Sequence, residues 1–285
     1  MPNLKELMEH ESFFSPGHRM CAGCVAPVVV RQVALAVGDL GDRPVVVANA
    51  TGCLEVASTI FPYTAWRCGY IHNAFENAAA TLSGVETAYR SLRKQGKINR
   101  EVKFIAFGGD GGTYDIGLQS LSGAMERGHD MLYICYDNGA YMNTGIQRSS
   151  ATPLFADTTT SPAGRESPGK RQWRKDLTAI MAAHNIPYAA QASPSHFMDL
   201  MAKVQKALSV DGPSFINTMA PCPRGWRYDT REGIELTRLS VETCYWPLYE
   251  VDHGKWKLSY KPREKKPIET WIRKQGRFRH LFTEE

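Results

Sequence analysis

Short apolar runs punctuate this chain at residues 45–48, 104–107, 131–136, 187–190 and 213–219, and each is followed by a turn bearing glycine or proline. Runs of this length without alternation suit strands buried on both faces of a sheet. Between them, apolar residues recur at helical spacing. Residues 26–37 are apolar all round, which predicts a buried helix. Residues 74–94 carry the small residues Ala78, Ala79, Ala80 and Gly84, which permit close packing. Residues 113–127 place Ile116, Leu118, Leu121 and Met125 on one face. Further helices are predicted over 174–184, over 195–208 with Ser193 or Ser195 as N-cap, and over 234–243. This alternation predicts an α/β fold with a mostly parallel sheet flanked by helices. Residues 104–143 form its centre: strand, glycine-rich turn, helix, strand, polar turn, a βαβ unit whose two strands run parallel. Beyond residue 225 the periodicity weakens. The domain expectation is therefore 1–225 as the α/β domain and 226–285 as an extension, with a hairpin around 252–254, wrapping the domain or a neighbour. Residues 1–18 read as a surface arm. Residues 144–170 are polar and aperiodic, which predicts either a cover over a site or disorder.

The chain has 285 residues, 43% of them apolar and 22% charged, enough for one large α/β domain or two small ones. No apolar run reaches the length of a membrane span, and the N-terminus lacks a signal-peptide core, so a cytoplasmic protein is expected. The net charge of +5 is mild. Its basic residues concentrate in 165–175 and from Lys255 onward, as solvated surface or as an attraction for an acidic partner or an anionic substrate such as coenzyme A. No nucleic-acid module accompanies them.

Turns at the C-terminal ends of adjacent parallel strands converge on one crevice. Asp110 lies in one such turn, in Gly108-Gly109-Asp110-Gly111-Gly112, and Asn138 in the next, in Asp137-Asn138-Gly139. A carboxylate and an amide oxygen there suit Mg²⁺, and the glycine-rich turn opening onto a helix suits a phosphate. Taken alone, the glycine turn is equally a tight turn with a structural Asp. His72 and Glu76, one helical turn apart, read as a helix-start hydrogen bond and a surface charge.

The seven cysteines argue for metal or redox chemistry in a cytosolic protein. Cys21-Ala22-Gly23-Cys24 is a chelating loop able to hold zinc, to hold part of an iron–sulfur cluster, or to act as a redox dithiol. Cys53 and Cys222 follow the strands at 45–48 and 213–219, so they can join that pair; Cys53 alone would be a packed thiol. Four thiolates serve zinc and a [4Fe–4S] cluster equally well. Cys135 falls inside a strand and reads as core, and Cys68 and Cys244 carry no motif.

The Gly109-Asp110-Gly111 turn followed by Asn138 resembles the thiamine diphosphate (ThDP) signature. The closer resemblance is to the β subunit of 2-oxoacid:ferredoxin oxidoreductases of the pyruvate synthase type. It is carried by Tyr136 through Gly145, Gly52-Cys53-Leu54-Glu55-Val56, Arg148 through Pro153, and Tyr260-Lys261-Pro262, and it runs over nearly all of the chain. The resemblance implies a ThDP-binding fold. It implies one [4Fe–4S] cluster on Cys21, Cys24, Cys53 and Cys222, with Cys53 also bordering the cofactor. It implies Mg²⁺ on Asp110, Asn138 and the Ala140 carbonyl. Gly109, Asp110, Gly111 and Gly112, together with Asn138, Gly139, Ala140, Tyr141, Met142 and Asn143, would hold the diphosphate, and Asn143 would be catalytic, facing the substrate. The implied reaction is oxidative decarboxylation of a 2-oxoacid with coenzyme A to acyl-CoA and CO₂, electrons passing through the cluster to ferredoxin. Pyruvate is the favoured substrate. Gly139 stands where the pyruvate-type pattern often has Glu, which leaves a branched-chain or aryl 2-oxoacid, or oxalate, open. A non-oxidative ThDP decarboxylase subunit with structural zinc, or a structural or electron-carrier subunit, are the other readings. The implied partners are an α subunit that completes the ThDP site with an activating Glu, γ and ferredoxin-like δ subunits, and ferredoxin, with no nucleic acid and no membrane.

Overall fold

The predicted apolar runs become five adjacent strands at the centre of one sheet. The computed structural model describes residues 9, 11–38 and 44–282. In chain order its strands are β1 (Val45–Ala50), β2 (Gly69–Asn73), β3 (Lys103–Gly109), β4 (Leu132–Asp137), β5 (Ala163–Gly164), β6 (Ser167–Pro168), β7 (Tyr188–Ala192), β8 (Ser214–Met219), β9 (Tyr249–Asp252) and β10 (Lys255–Leu258). Eight of them form one sheet in the order β10-β9-β7-β8-β4-β3-β1-β2. From β7 to β2 every pairing is parallel, and β9 and β10 add an antiparallel edge. Side chains alternate across the pleat. Ile105 and Phe107 of β3 join a core on one face with Leu132, Ile134 and Tyr136, while Phe104 and Ala106 join the core on the other with Tyr133 and Cys135. Cys135 is fully buried, as its place in a strand implies. This is the expected α/β fold: a mostly parallel sheet covered on both faces.

Parallel strands place β1, β3, β4 and β8 with their C-terminal ends at one edge, and the crossovers carry helices onto the faces. The helix Ala26–Gly38 packs by an almost wholly apolar sequence into the first core. The predicted 74–94 helix starts later, at Ala78, because residues 74–77 turn from the end of β2. The helix predicted over 113–127 is broken into a π-helical turn, Gly111–Asp115, and an α-helix, Leu118–Glu126. Gly117 sits at the break, where an added Cβ would lie 1.9 Å from the Gly112 carbonyl oxygen. The helix predicted over 174–184 shortens to Leu177–Ala182, capped by Asp176, whose side chain accepts from the Ala179 N–H. In the 195–208 segment neither candidate serine caps: Ser193 Oγ pairs with Ser195 Oγ, and the α-helix runs Phe197–Ala207 after a short 3-10 turn.

Two expectations are corrected. Of the predicted surface arm, residues 1–8 and 10 lie outside the described residues, but Phe13 and Phe14 are buried against Trp66. The polar segment 144–170 is ordered by its own hydroxyls, not laid as a flap over the crevice. Ser149, Ala151 and Thr152 are fully buried, and the segment closes through the Phe155 N–H to the Lys170 carbonyl. Beyond residue 225, β9 and β10 extend the sheet, and Trp226, Trp246, Trp271 and Phe278 build a third apolar cluster that includes Cys222. No helix among the described residues is long and apolar enough to cross a membrane.

Candidate active site

A crevice opens at the shared strand edge. Thr51, Gly52 and Cys53 line it from the end of β1, Gly109 to Gly112 from β3, and Asn138 and Ala140 to Thr144 from β4, with Phe75 and Tyr136. Every residue assigned to the diphosphate except Gly139 is therefore on its wall. Gly139 has φ +76 and faces away, toward Arg277 and Pro153. The glycines of the β3 turn are needed for close packing of the chain on itself; none of them adopts positive φ. A Cβ on Gly111 would lie 2.3 Å from the Tyr141 ring, and one on Gly112 would lie 2.8 Å from the Phe75 carbonyl oxygen.

Asp110 is fully buried. Its Oδ1 accepts from the Asn138 N–H at 3.2 Å and its Oδ2 from Ser149 Oγ at 2.5 Å. Burial, and then the neighbouring Asp137 charge, push its carboxyl well above the usual carboxylate range. Asp137 is neutralised by Arg174 at 2.6 Å and accepts from the Tyr114 hydroxyl at 2.7 Å. Among the described residues Asp110 makes no such ion pair, so a cation bound beside it would favour its ionised form. The Asn138 side-chain oxygen faces Asp110 Oδ1 and the Ala140 carbonyl oxygen, with no hydrogen between them. Rotating the amide would present its nitrogen to those oxygens at 2.9 and 2.8 Å. Three oxygens in that arrangement repel unless a cation sits among them or the amide turns. They are the three atoms named for Mg²⁺, and a small, hard cation takes such a set. The residues present fit the metal.

The thiols converge on the same edge. The Val25 N–H donates to the Pro221 carbonyl at 3.3 Å, and the Tyr228 hydroxyl donates to the Gly23 carbonyl at 2.8 Å, which draws the Cys21–Cys24 loop onto the end of β8. Gly23 takes φ +77 there against Thr230. Burial pushes the Cys24 thiol up to about 12, and charge at Cys222, Cys53 and Cys21 adds to the rise. Burial likewise raises Cys53, with a hydrogen bond from the Asn143 side chain opposing it and Cys222 and Cys21 reinforcing it. Cys222 is raised by burial too, offset by the Gly225 and Arg224 N–H groups. All four candidate thiols thus lie within electrostatic reach of one another, while Cys68, Cys135 and Cys244 stand outside the set. Among the described residues, no three His, Cys, Asp or Glu side chains close on a single ion. Burial of neutral thiols is costly to reverse by ionisation alone, and coordinating metal favours the thiolate.

Sequence reasoning missed the support beneath the turn. Ser149 holds Asp110, and the Thr152 hydroxyl donates to the Gly139 carbonyl at 2.6 Å. Ser150 N donates to Asp115 Oδ2 at 2.9 Å. The buried Lys170 ammonium donates to the Thr152 and Ser150 carbonyls at 2.6 and 3.3 Å. Lys170→Met leaves the Thr152 carbonyl without that donor, so it lowers unfolding free energy by about 1–3 kcal/mol, read from the urea midpoint. His72, exposed, reaches Thr51 Oγ at 3.0 Å and not Glu76.

Residues 50–218 match the family model of the thiamine pyrophosphate enzyme C-terminal TPP-binding domain, which sets the class. The chain is 55% identical to pyruvate synthase subunit PorB of Thermotoga maritima, over 99% of this chain and 88% of that protein. It is 44% identical to ketoisovalerate oxidoreductase subunit VorB of Pyrococcus abyssi, over 96% and 88% of the two. A solved 2-oxoglutarate:ferredoxin oxidoreductase from Magnetococcus marinus shares the fold, with TM-score 0.62 and 21% identity over 79% of each chain. The chain belongs to the PorB family, the β subunits of 2-oxoacid:ferredoxin oxidoreductases, enzymes assembled from several different chains.

Proposed function

We propose that this chain is the β subunit of a cytoplasmic pyruvate:ferredoxin oxidoreductase. It would hold the Mg²⁺–diphosphate half of ThDP on Asp110, Asn138 and the Ala140 carbonyl, and one [4Fe–4S] cluster on Cys21, Cys24, Cys53 and Cys222. ThDP, when bound, supplies the carbanion chemistry that lets a 2-oxoacid lose CO₂. The protein's part is placement. Asn138 and Ala140 orient the metal, the β3 turn seats the diphosphate, and Asn143 presents its amide between Cys53 and the substrate. Overall, pyruvate and coenzyme A would give acetyl-CoA, CO₂, one proton and two electrons for ferredoxin, and a cluster on the four thiols would supply one-electron carrier chemistry. An α subunit supplies the activating Glu, and γ and δ subunits complete the complex. Residues 1–225 carry the site, and 226–285 wrap it or a partner.

What supports this reading is the crevice where Asp110, Asn138 and Ala140 stand beside Cys53, with Cys21, Cys24 and Cys222 within electrostatic reach of that thiol. Pyruvate follows from the 55% identity to a pyruvate synthase subunit; the ketoisovalerate relative makes a branched-chain 2-oxoacid the second reading. The purified complex should contain thiamine, with iron and acid-labile sulfide traceable to this chain, and should oxidise pyruvate faster than 2-oxoisovalerate when coenzyme A and ferredoxin are present. A colourless chain containing zinc would refute the cluster assignment, and a preference for 2-oxoisovalerate would move the substrate.

A further inference from the structure

Arg277 reaches the metal turn from the far end of the chain. It belongs to the 3-10 turn Gly276–Leu281 and is 2% exposed. Its Nε donates to Gln275 Oε1 at 2.9 Å, but neither terminal guanidinium nitrogen has a hydrogen-bond partner. The guanidinium carbon lies 3.8 Å from the centroid of the Trp226 ring. The Trp226 indole N–H, in turn, donates to the Asn138 carbonyl at 2.5 Å. On its other side, Arg277 Nη1 lies 3.0 Å from the place a Cβ on Gly139 would occupy. The Arg277 carbonyl also accepts from the Asp157 N–H, which ties it to the 144–170 segment. One buried cation is thus packed against both neighbours of the turn that carries Asn138.

A buried cation without hydrogen-bond partners is costly unless nearby anions compensate it. Burial pulls the Arg277 guanidinium down to about 9, and Asp137 and Asp110 are among the charges that hold it up. When a diphosphate enters, its charge and the two carboxylates outweigh Mg²⁺ and Arg174, so a further cation behind the turn favours the loaded site.

We infer that Arg277 is a positioning residue for the Mg²⁺–diphosphate turn, bracing the Asn138 carbonyl through Trp226 and packing behind Gly139. This rests on the ThDP reading above. It makes the C-terminal segment a determinant of cofactor affinity, although that segment contributes nothing to the crevice wall. A side chain at residue 139 would crowd Arg277 Nη1 and would have to adopt the φ of +76 that glycine tolerates.

The test uses the assembled complex, with ThDP affinity measured by calorimetry at saturating Mg²⁺ and thermal unfolding followed with and without cofactor. Arg277→Met should weaken ThDP binding by roughly 10- to 100-fold, as expected for a group one step removed from a metal ligand, with iron content unchanged. A purely structural arginine would instead lower the melting temperature of the cofactor-free and loaded complexes equally and leave ThDP affinity intact, which would overturn the inference. If Arg277→Met does not assemble, Arg277→Lys decides: it keeps the charge and loses the planar contact with Trp226. Weaker ThDP binding supports the bracing role, and unchanged binding refutes it. Failure of the unaltered complex to bind ThDP would instead bring down the underlying functional reading.

Discussion

Asp110→Ala in the assembled complex should abolish Mg²⁺-dependent ThDP binding and reduce turnover more than about 100-fold, while the iron content of the chain stays unchanged. The reasoning is one of charge. Of the three oxygens that face one another in the crevice, two are neutral, on Asn138 and Ala140, and only Asp110 carries a carboxylate. Even partners that merely support a metal ligand cost about 10–100-fold when lost, so loss of the charged ligand itself should exceed that. Asp110→Asn separates charge from shape. It can keep the contact with Ser149 but not the charge, and it should lose ThDP to nearly the same extent. Retention of ThDP by either variant would show that the diphosphate is held elsewhere. Retention of iron is the internal control, because none of the four thiols depends on Asp110 for its position.

The central fold was legible because the physics there is local. Residues 104–107 and 131–136 must be buried on both faces, and their polar turns must then lie at the same edge. Hence Asp110, Asn138 and Cys53 could be placed on one crevice, and Cys222 after a strand that ends at the same sheet edge, from strand ends alone. Three features were hidden, each for a separate reason. Strand β2, Gly69–Asn73, is a half-exposed edge strand with mixed side chains, so it shows no apolar run; its existence depends on pairing with β1. The break at Gly117 depends on the approach of the Gly112 carbonyl, a distance that no helical periodicity encodes. The segment 144–170 looks like a cover because it is polar, yet its serines and threonines spend their hydroxyls on Asp110 and the turn backbone. Arg277 was the least legible: nothing near it in sequence announces that the tail folds back behind Asn138.

The second large effect concerns what the crevice lacks. Among the described residues that line it, Asp110 is the single carboxylate, and the proposed metal would occupy it. Glu55 stands two residues beyond the crevice-lining Cys53. It is buried, bonded to the Thr59 hydroxyl at 2.9 Å, with His72 at 3.6 Å, and it does not line the crevice. On the function proposed above, the carboxyl group that activates the ThDP aminopyrimidine would be delivered by another chain. The isolated subunit, reconstituted with iron, sulfide, Mg²⁺ and ThDP, should therefore oxidise pyruvate at less than about 1% of the rate of the complex, since a positioned general acid–base contributes about 10²- to 10⁴-fold. Adding the partner subunits should restore the rate without further cofactor. Full turnover by the isolated chain would place the activating carboxylate within this sequence, and Glu55 and Glu76 would then be the residues to exchange for glutamine first.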